Sequence, residues 1–197
     1  MAKRHPVLVA AIALIVLASA AGMLAGFSPA SGPDEGAVRA AAVRDELISV
    51  GPWIPCTDGR AAVLSAATVQ AQQAHLAALF QQTYAPNEPT HADLLAHLQD
   101  LVDRYGAGGS AVAGGNTLCE PSGGVDQVQV LNFAMTGTTA SITIQCHIWN
   151  ETIGTQNGVP FHYRPESVIT RTDEAAKING QWLITHRGEV TFVSGGP

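Results

Sequence analysis

The hydrophobic rhythm of the chain changes three times. From Val7 to Phe27 (VLVAAIALIVLASAAGMLAGF) 21 residues pass without a charged side chain. As a helix rising about 1.5 Å per residue, that run is long enough to cross a hydrocarbon core of about 30 Å. Residues 28–36, SPASGPDEG, read as a flexible tether rich in Pro, Ser and Gly. Residues 37–50 are alanine-rich and predict a short helix ended by Gly51-Pro52. GPWIPCTDG then forms a connector anchored by Trp53. From about Arg60 to Tyr84 the period becomes helical: Val69, Leu76, Leu79, Phe80 and Thr83 recur near 3.6 residues, and Pro86 and Pro89 break the pattern. Thr90, with Asp93 three residues on, predicts the cap of a second helix. Its apolar face is Leu94, Leu95, Leu98, Leu101, Val102 and Tyr105, and Gly106 stops it.

Beyond a glycine-rich connector at 106–124 the period falls to two. Strands are predicted over 125–135, 139–150, 167–178 and 181–193, with a polar loop at about 151–164. Asn179-Gly180 is the strongest hairpin signal, because a type I′ turn needs positive φ at both central residues. Helices followed by a run of antiparallel strands predict an α+β fold with the helices on one face of a sheet of about four strands. The chain divides into an N-terminal apolar segment (1–33), a juxtamembrane tether and connector (34–59) and a folded domain (60–197).

Charge orients this arrangement. Lys3 and Arg4 precede the apolar run and Asp34 is the first charge after it, which puts the N-terminus in the cytoplasm and the domain outside. The run fits a retained anchor or a cleaved signal peptide, with small residues at Ala18-Ser19-Ala20 and Ser28-Pro29-Ala30. Its extension through Met23, Leu24 and Phe27 favours the anchor. The chain carries a net −6, and an acidic domain is a poor partner for nucleic acid. Outside the cytoplasm thiols tend to pair. Of Cys56, Cys119 and Cys146, the expected bridge is Cys119–Cys146, because the loop before the sheet folds back on a strand. No two cysteines have the spacing of a structural zinc site.

The last hairpin, AKINGQWLITH at 176–186, has a basic residue, a short glycine turn and then Gln-Trp-Leu-Ile. With the apolar N-terminus and the helix-then-strand order, it resembles the NTF2-like (cystatin-like α+β) superfamily. Small actinobacterial envelope proteins of that fold, including those associated with Mce lipid-import systems, are similar over roughly residues 60–195. One feature departs from the pattern: no short strand is visible between the helices. The resemblance implies a cone of helices on a curved sheet, able to hold a small apolar ligand. It also implies Phe133 and Trp182 at the pocket or its packing, and His186 near the mouth, although a surface His186 is the plainer reading.

Candidate chemistry is sparse. In ITIQCHIWNET (142–152) the adjacent Cys146 and His147 suggest a nucleophile and its base. A strand sends neighbouring side chains to opposite faces, so Cys146 goes with Ile142, Ile144 and Ile148, and His147 goes with Trp149. His147 and Trp149 become a candidate contact face for another protein or a second copy. His91 and His97 are six residues apart on a helix, so with Asp93 they cannot share a metal. Asp173 and Glu174, close to Lys177, read as solvated hairpin charge. No catalytic set, metal site or cofactor site assembles. The expected function is therefore non-catalytic: a membrane-anchored or secreted extracytoplasmic domain that binds envelope proteins or itself. The alternative is a small isomerase- or dehydratase-like enzyme, or a carrier of an apolar ligand, built on the cone.

Overall fold

The computed structural model describes residues 32–195; the apolar run at 7–27 and the start of the tether lie outside them. Helix α1 (Pro33–Val50) covers the short helix expected at 37–50 and starts four residues earlier, inside the expected tether. Pro33 supplies a preset φ at the first helical position, and Asp34 and Glu35 sit favourably at the positive end of the helix dipole. The buried positions Val38, Ala41, Ala42, Asp45, Glu46 and Ile48 follow helical spacing. Two acids stand inside that stripe. They hide it from a reading based on apolar residues, and the segment belongs to the fold.

Trp53 anchors the connector as expected: it is buried, and its indole N–H donates to the carbonyl of Ile48 at 2.9 Å, satisfying an orphan group at the end of α1. Helix α2 (Ala66–Thr83) starts at Ser65, whose hydroxyl accepts from the Thr68 N–H at 3.2 Å. Helix α3 (His91–Arg104) departs from its expected cap. The Thr90 hydroxyl makes no capping bond, and both it and the Thr90 N–H donate to the Glu88 carboxylate at 2.9 Å. A single turn, α4 (Ser110–Ala113), interrupts the glycine-rich connector.

Six antiparallel strands follow, not about four: β1 (Thr117–Thr136), β2 (Thr139–Gln156), β3 (Val159–Tyr163), β4 (Glu166–Ile178), β5 (Gln181–His186) and β6 (Thr191–Ser194). The path is β1-β2-β4-β5, with β3 added to β2 and β6 to β4. Of the glycines expected to be loop, Gly123 and Gly124 lie inside β1. At Gly123 a Cβ would meet the Val50 carbonyl oxygen at 2.0 Å, so glycine is what lets α1 and β1 close up. Asn157-Gly158 has φ of 52° and 78°, the same turn as Asn179-Gly180, and makes a hairpin of the expected 151–164 loop. The expected last strand is cut in two at Arg187–Val190. There Gly188 lies so close to β4 that a Cβ would sit 2.0 Å from the Thr172 carbonyl oxygen.

The helices pack on one face of the curved sheet, and Ile142, Ile144, Ile169 and Ile184 are fully buried beneath them with Leu76, Phe80 and Val102. Between α1 and α2 only isolated bridges form, Thr57 with Arg60 and Leu64 with Gly106. The expected bridge is also corrected: Cys56 pairs with Cys119, and Cys146 is free and buried. Cys119 stands opposite Ile153, seven residues along β2 from Cys146. That is about 23 Å at ~3.3 Å per residue, whereas bridged Cα atoms lie within about 7 Å.

Candidate functional site

Along the inner face of β4 the buried positions are Ser167, Ile169, Arg171, Asp173 and Ala175. The two charges sit where the period of two places apolar residues, directly beneath the Asp45-Glu46 pair of α1. The Arg171 guanidinium is fully buried. Its Nη1 contacts the carboxylates of Asp45 and Glu46, and its Nη2 donates to Asp173 at 2.7 Å. The break between β5 and β6 completes the cluster. Arg187 Nε donates to both Asp45 oxygens at 3.0 Å, its backbone N–H donates to buried Glu88 at 3.3 Å, and the Gly188 N–H donates to Asp173 at 3.1 Å. The Tyr84 hydroxyl, arriving from the end of α2, donates to Asp45. Four segments of chain thus meet on one set of charges.

The electrostatics follow from burial. Glu46 is pushed up to about 7, first by desolvation and then by Asp45 and Asp173, with Arg171 and Arg187 opposing. Asp173 is also raised by desolvation, against the pull of Arg171. Desolvation lowers Arg171, but Asp45, Asp173 and Glu46 outweigh it and hold the guanidinium charged. Tyr84 is raised by burial and by Asp45. The Cys146 thiol, on the inner face of β2, is pushed up to about 12 by burial and by Glu46. It is therefore a poor nucleophile at neutral pH.

The expected site residues do not converge. Asp173, read as solvated hairpin charge, is fully buried in the ion cluster. His147 and Trp149 lie half-buried on the outer sheet face under their own neighbours. His147 Nδ1 is 2.8 Å from Asp126 and Nε2 is 3.5 Å from Glu166. Trp149 packs against Gly124, and the Arg164 guanidinium lies 4.5 Å from its ring centroid. Phe133 is half-buried on β1, separated from Trp182 on β5 by β2 and β4. Trp182 is buried and donates its indole N–H to Asp34 at 2.8 Å, which Lys177 also contacts at 2.8 Å. These three residues, with Ala37, Ala40 and Arg44, line a surface groove of about 440 Å³. His186 is exposed, opposite Glu174. His91 is held by the Glu88 carbonyl at 2.6 Å and stacks on Tyr84. Among the described residues no helix is long and apolar enough to cross a membrane.

Fold and site define an α+β protein in which helices cover one face of a curved six-stranded antiparallel sheet, with a buried ion cluster between the two layers. No family model matches the chain, and no curated protein matches it. Among solved structures it is similar to an NTF2-like protein with a cystatin-like fold from Novosphingobium aromaticivorans (13% identity, 85% of this chain and 94% of that one, TM-score 0.27). It is also similar to a Xanthomonas campestris protein assigned as a calcium/calmodulin dependent protein kinase II association domain (14%, 68% and 94%, TM-score 0.30). A third similarity is to the intermembrane-space region of the chloroplast protein ARC6 (12%, 55% and 82%, TM-score 0.29). At these scores the likeness carries nothing about activity.

Proposed function

We propose that this chain is an extracytoplasmic, NTF2-like accessory domain of the cell envelope that works by binding and performs no chemistry of its own. The apolar run at 7–27 holds it at the membrane or is cleaved to release it. One observation carries the reading. The space between helices and sheet, where a ligand of the cone would sit, is filled by Leu76, Phe80 and the inward isoleucines, and its acids are bonded to Arg171 and Arg187. Buried beneath α1 and engaged with the two guanidiniums, these acids face no open pocket in which a substrate would meet them. The Cys56–Cys119 bridge fits an oxidising compartment. The partners proposed are other envelope proteins or a second copy.

Membrane cross-linking followed by purification of the full chain tests this. The expected result is a defined complex or a homo-oligomer. A strict monomer with no cross-linked envelope partner would overturn it.

A further inference from the structure

The carboxylates of the ion cluster are not equally provided for. Asp45 receives Arg171 Nη1, Arg187 Nε and the Tyr84 hydroxyl. Asp173 receives Arg171 Nη2 and the Gly188 N–H. Glu46 contacts one charged group, Arg171 Nη1, and shares it with Asp45. Three carboxylates face two guanidiniums here, with the Glu88 carboxylate beside Arg187. Around Glu46 stand Asp45 on α1, the Cys146 thiol on β2, Arg171 and Asp173 on β4, and Arg187 after β5. None of these adds a hydrogen-bond donor to Glu46, which is 1% exposed. An ionised carboxylate so placed is costly, and the proton is its cheapest missing partner.

We propose that Glu46 is a proton-operated latch between α1 and the sheet: it is protonated when α1 is firmly seated, and its ionisation loosens α1 ahead of the other helices. Asp45 and Glu46 are the buried charges α1 presents to β4, beside the surface pair Asp34–Lys177 at the start of the helix, so repulsion among Glu46, Asp45 and Asp173 acts at that interface. Helix α1 begins at Pro33, six residues after the apolar run ends at Phe27, so it joins that run to the sheet. The direction of the effect follows from linkage. A carboxyl raised by folding binds more protons folded than unfolded. Its contribution is full below the unfolded value and is lost as pH rises through the folded value. For Glu46 that loss is complete above about 7.

The test compares the full chain with Glu46→Gln, which keeps the shape and removes the titration. Glu46 should account for a fall in Tm of about 5 °C between pH 5.5 and 8.5, absent in the variant. Hydrogen-exchange protection of α1 amides should fall over the same range while α2 and α3 hold. The proposal is overturned if the variant keeps the wild-type slope, if His147→Gln is what abolishes it, or if α1 loses no protection selectively. Should Glu46→Gln not fold, a carboxyl-carbon NMR titration of the unmodified chain decides. A Glu46 midpoint near 7 supports the latch, and one below about 5 sinks it.

Discussion

Arg171 brings a full charge to a place where no water reaches, and three carboxylates answer it. Removing one member of such a group is far worse than never having had it, because the others stay buried without compensation. Arg171→Met is expected to lower unfolding free energy by about 3–5 kcal/mol, measured by urea denaturation. Loss below about 1 kcal/mol would mean that the acids simply take up protons. Cys146 illustrates the opposite case, a group made inert by its surroundings. With its thiol pushed up to about 12 and 1% exposed, it should resist iodoacetamide at pH 8 in the folded protein. Without reductant it should react as one thiol per chain after unfolding. Rapid labelling of the native state would show that the inner face opens to solvent. Its neighbour His147, on the other side of the sheet, cannot assist it.

At the scale of elements, the connector between α1 and α2 is held by more than Trp53. The Cys56–Cys119 bridge ties it to β1. Beside the bridge the Glu120 N–H donates to the Ile54 carbonyl at 2.7 Å, and the Ile54 N–H donates to the Glu120 carboxylate at 3.1 Å. The bridge closes a loop of 63 residues, which in the chain-entropy view contributes about 4 kcal/mol. Replacing Cys56 and Cys119 together by Ser should therefore cost about 2–5 kcal/mol. The midpoint of thermal unfolding checks this, and an unchanged midpoint would mean the bridge does not form in solution. Elements differed in how openly the chain announced them. Helix α3 and the β4–β5 hairpin were readable, because a clean 3.6 stripe and an Asn-Gly turn are local signals. The β2–β3 hairpin carries the same turn at Asn157-Gly158 and could have been read. Its second strand contains Pro160, which is tolerated because β3 lies on a sheet edge.

At the scale of the whole molecule, the site was far less legible than the fold. Its six side chains, Asp45, Glu46, Tyr84, Arg171, Asp173 and Arg187, come from four distant parts of the sequence. Only their in-line positions hinted at them: Asp45 and Glu46 continue the buried stripe of Val38, Ala41 and Ala42, and Arg171 and Asp173 continue the inward alternation from Ile169. A rule that assigns inside positions by apolarity discards such residues by construction. Both the proposed binding role and the latch on α1 depend on these charges being spent inside the domain.

The sequence by itself determined the α+β order, most helix and strand positions, and the separation of Cys146 from His147. These follow from short-range causes: side-chain period, proline and glycine geometry, and turn chemistry. Only the tertiary structure decided that residues 34–50 belong to the domain, that Cys56 rather than Cys146 meets Cys119, and that Asp173 is buried in an ion cluster. Each of these depends on which distant segments share one small volume. The free energy of a charge there is set by its neighbours in space, which neighbours in sequence do not reveal.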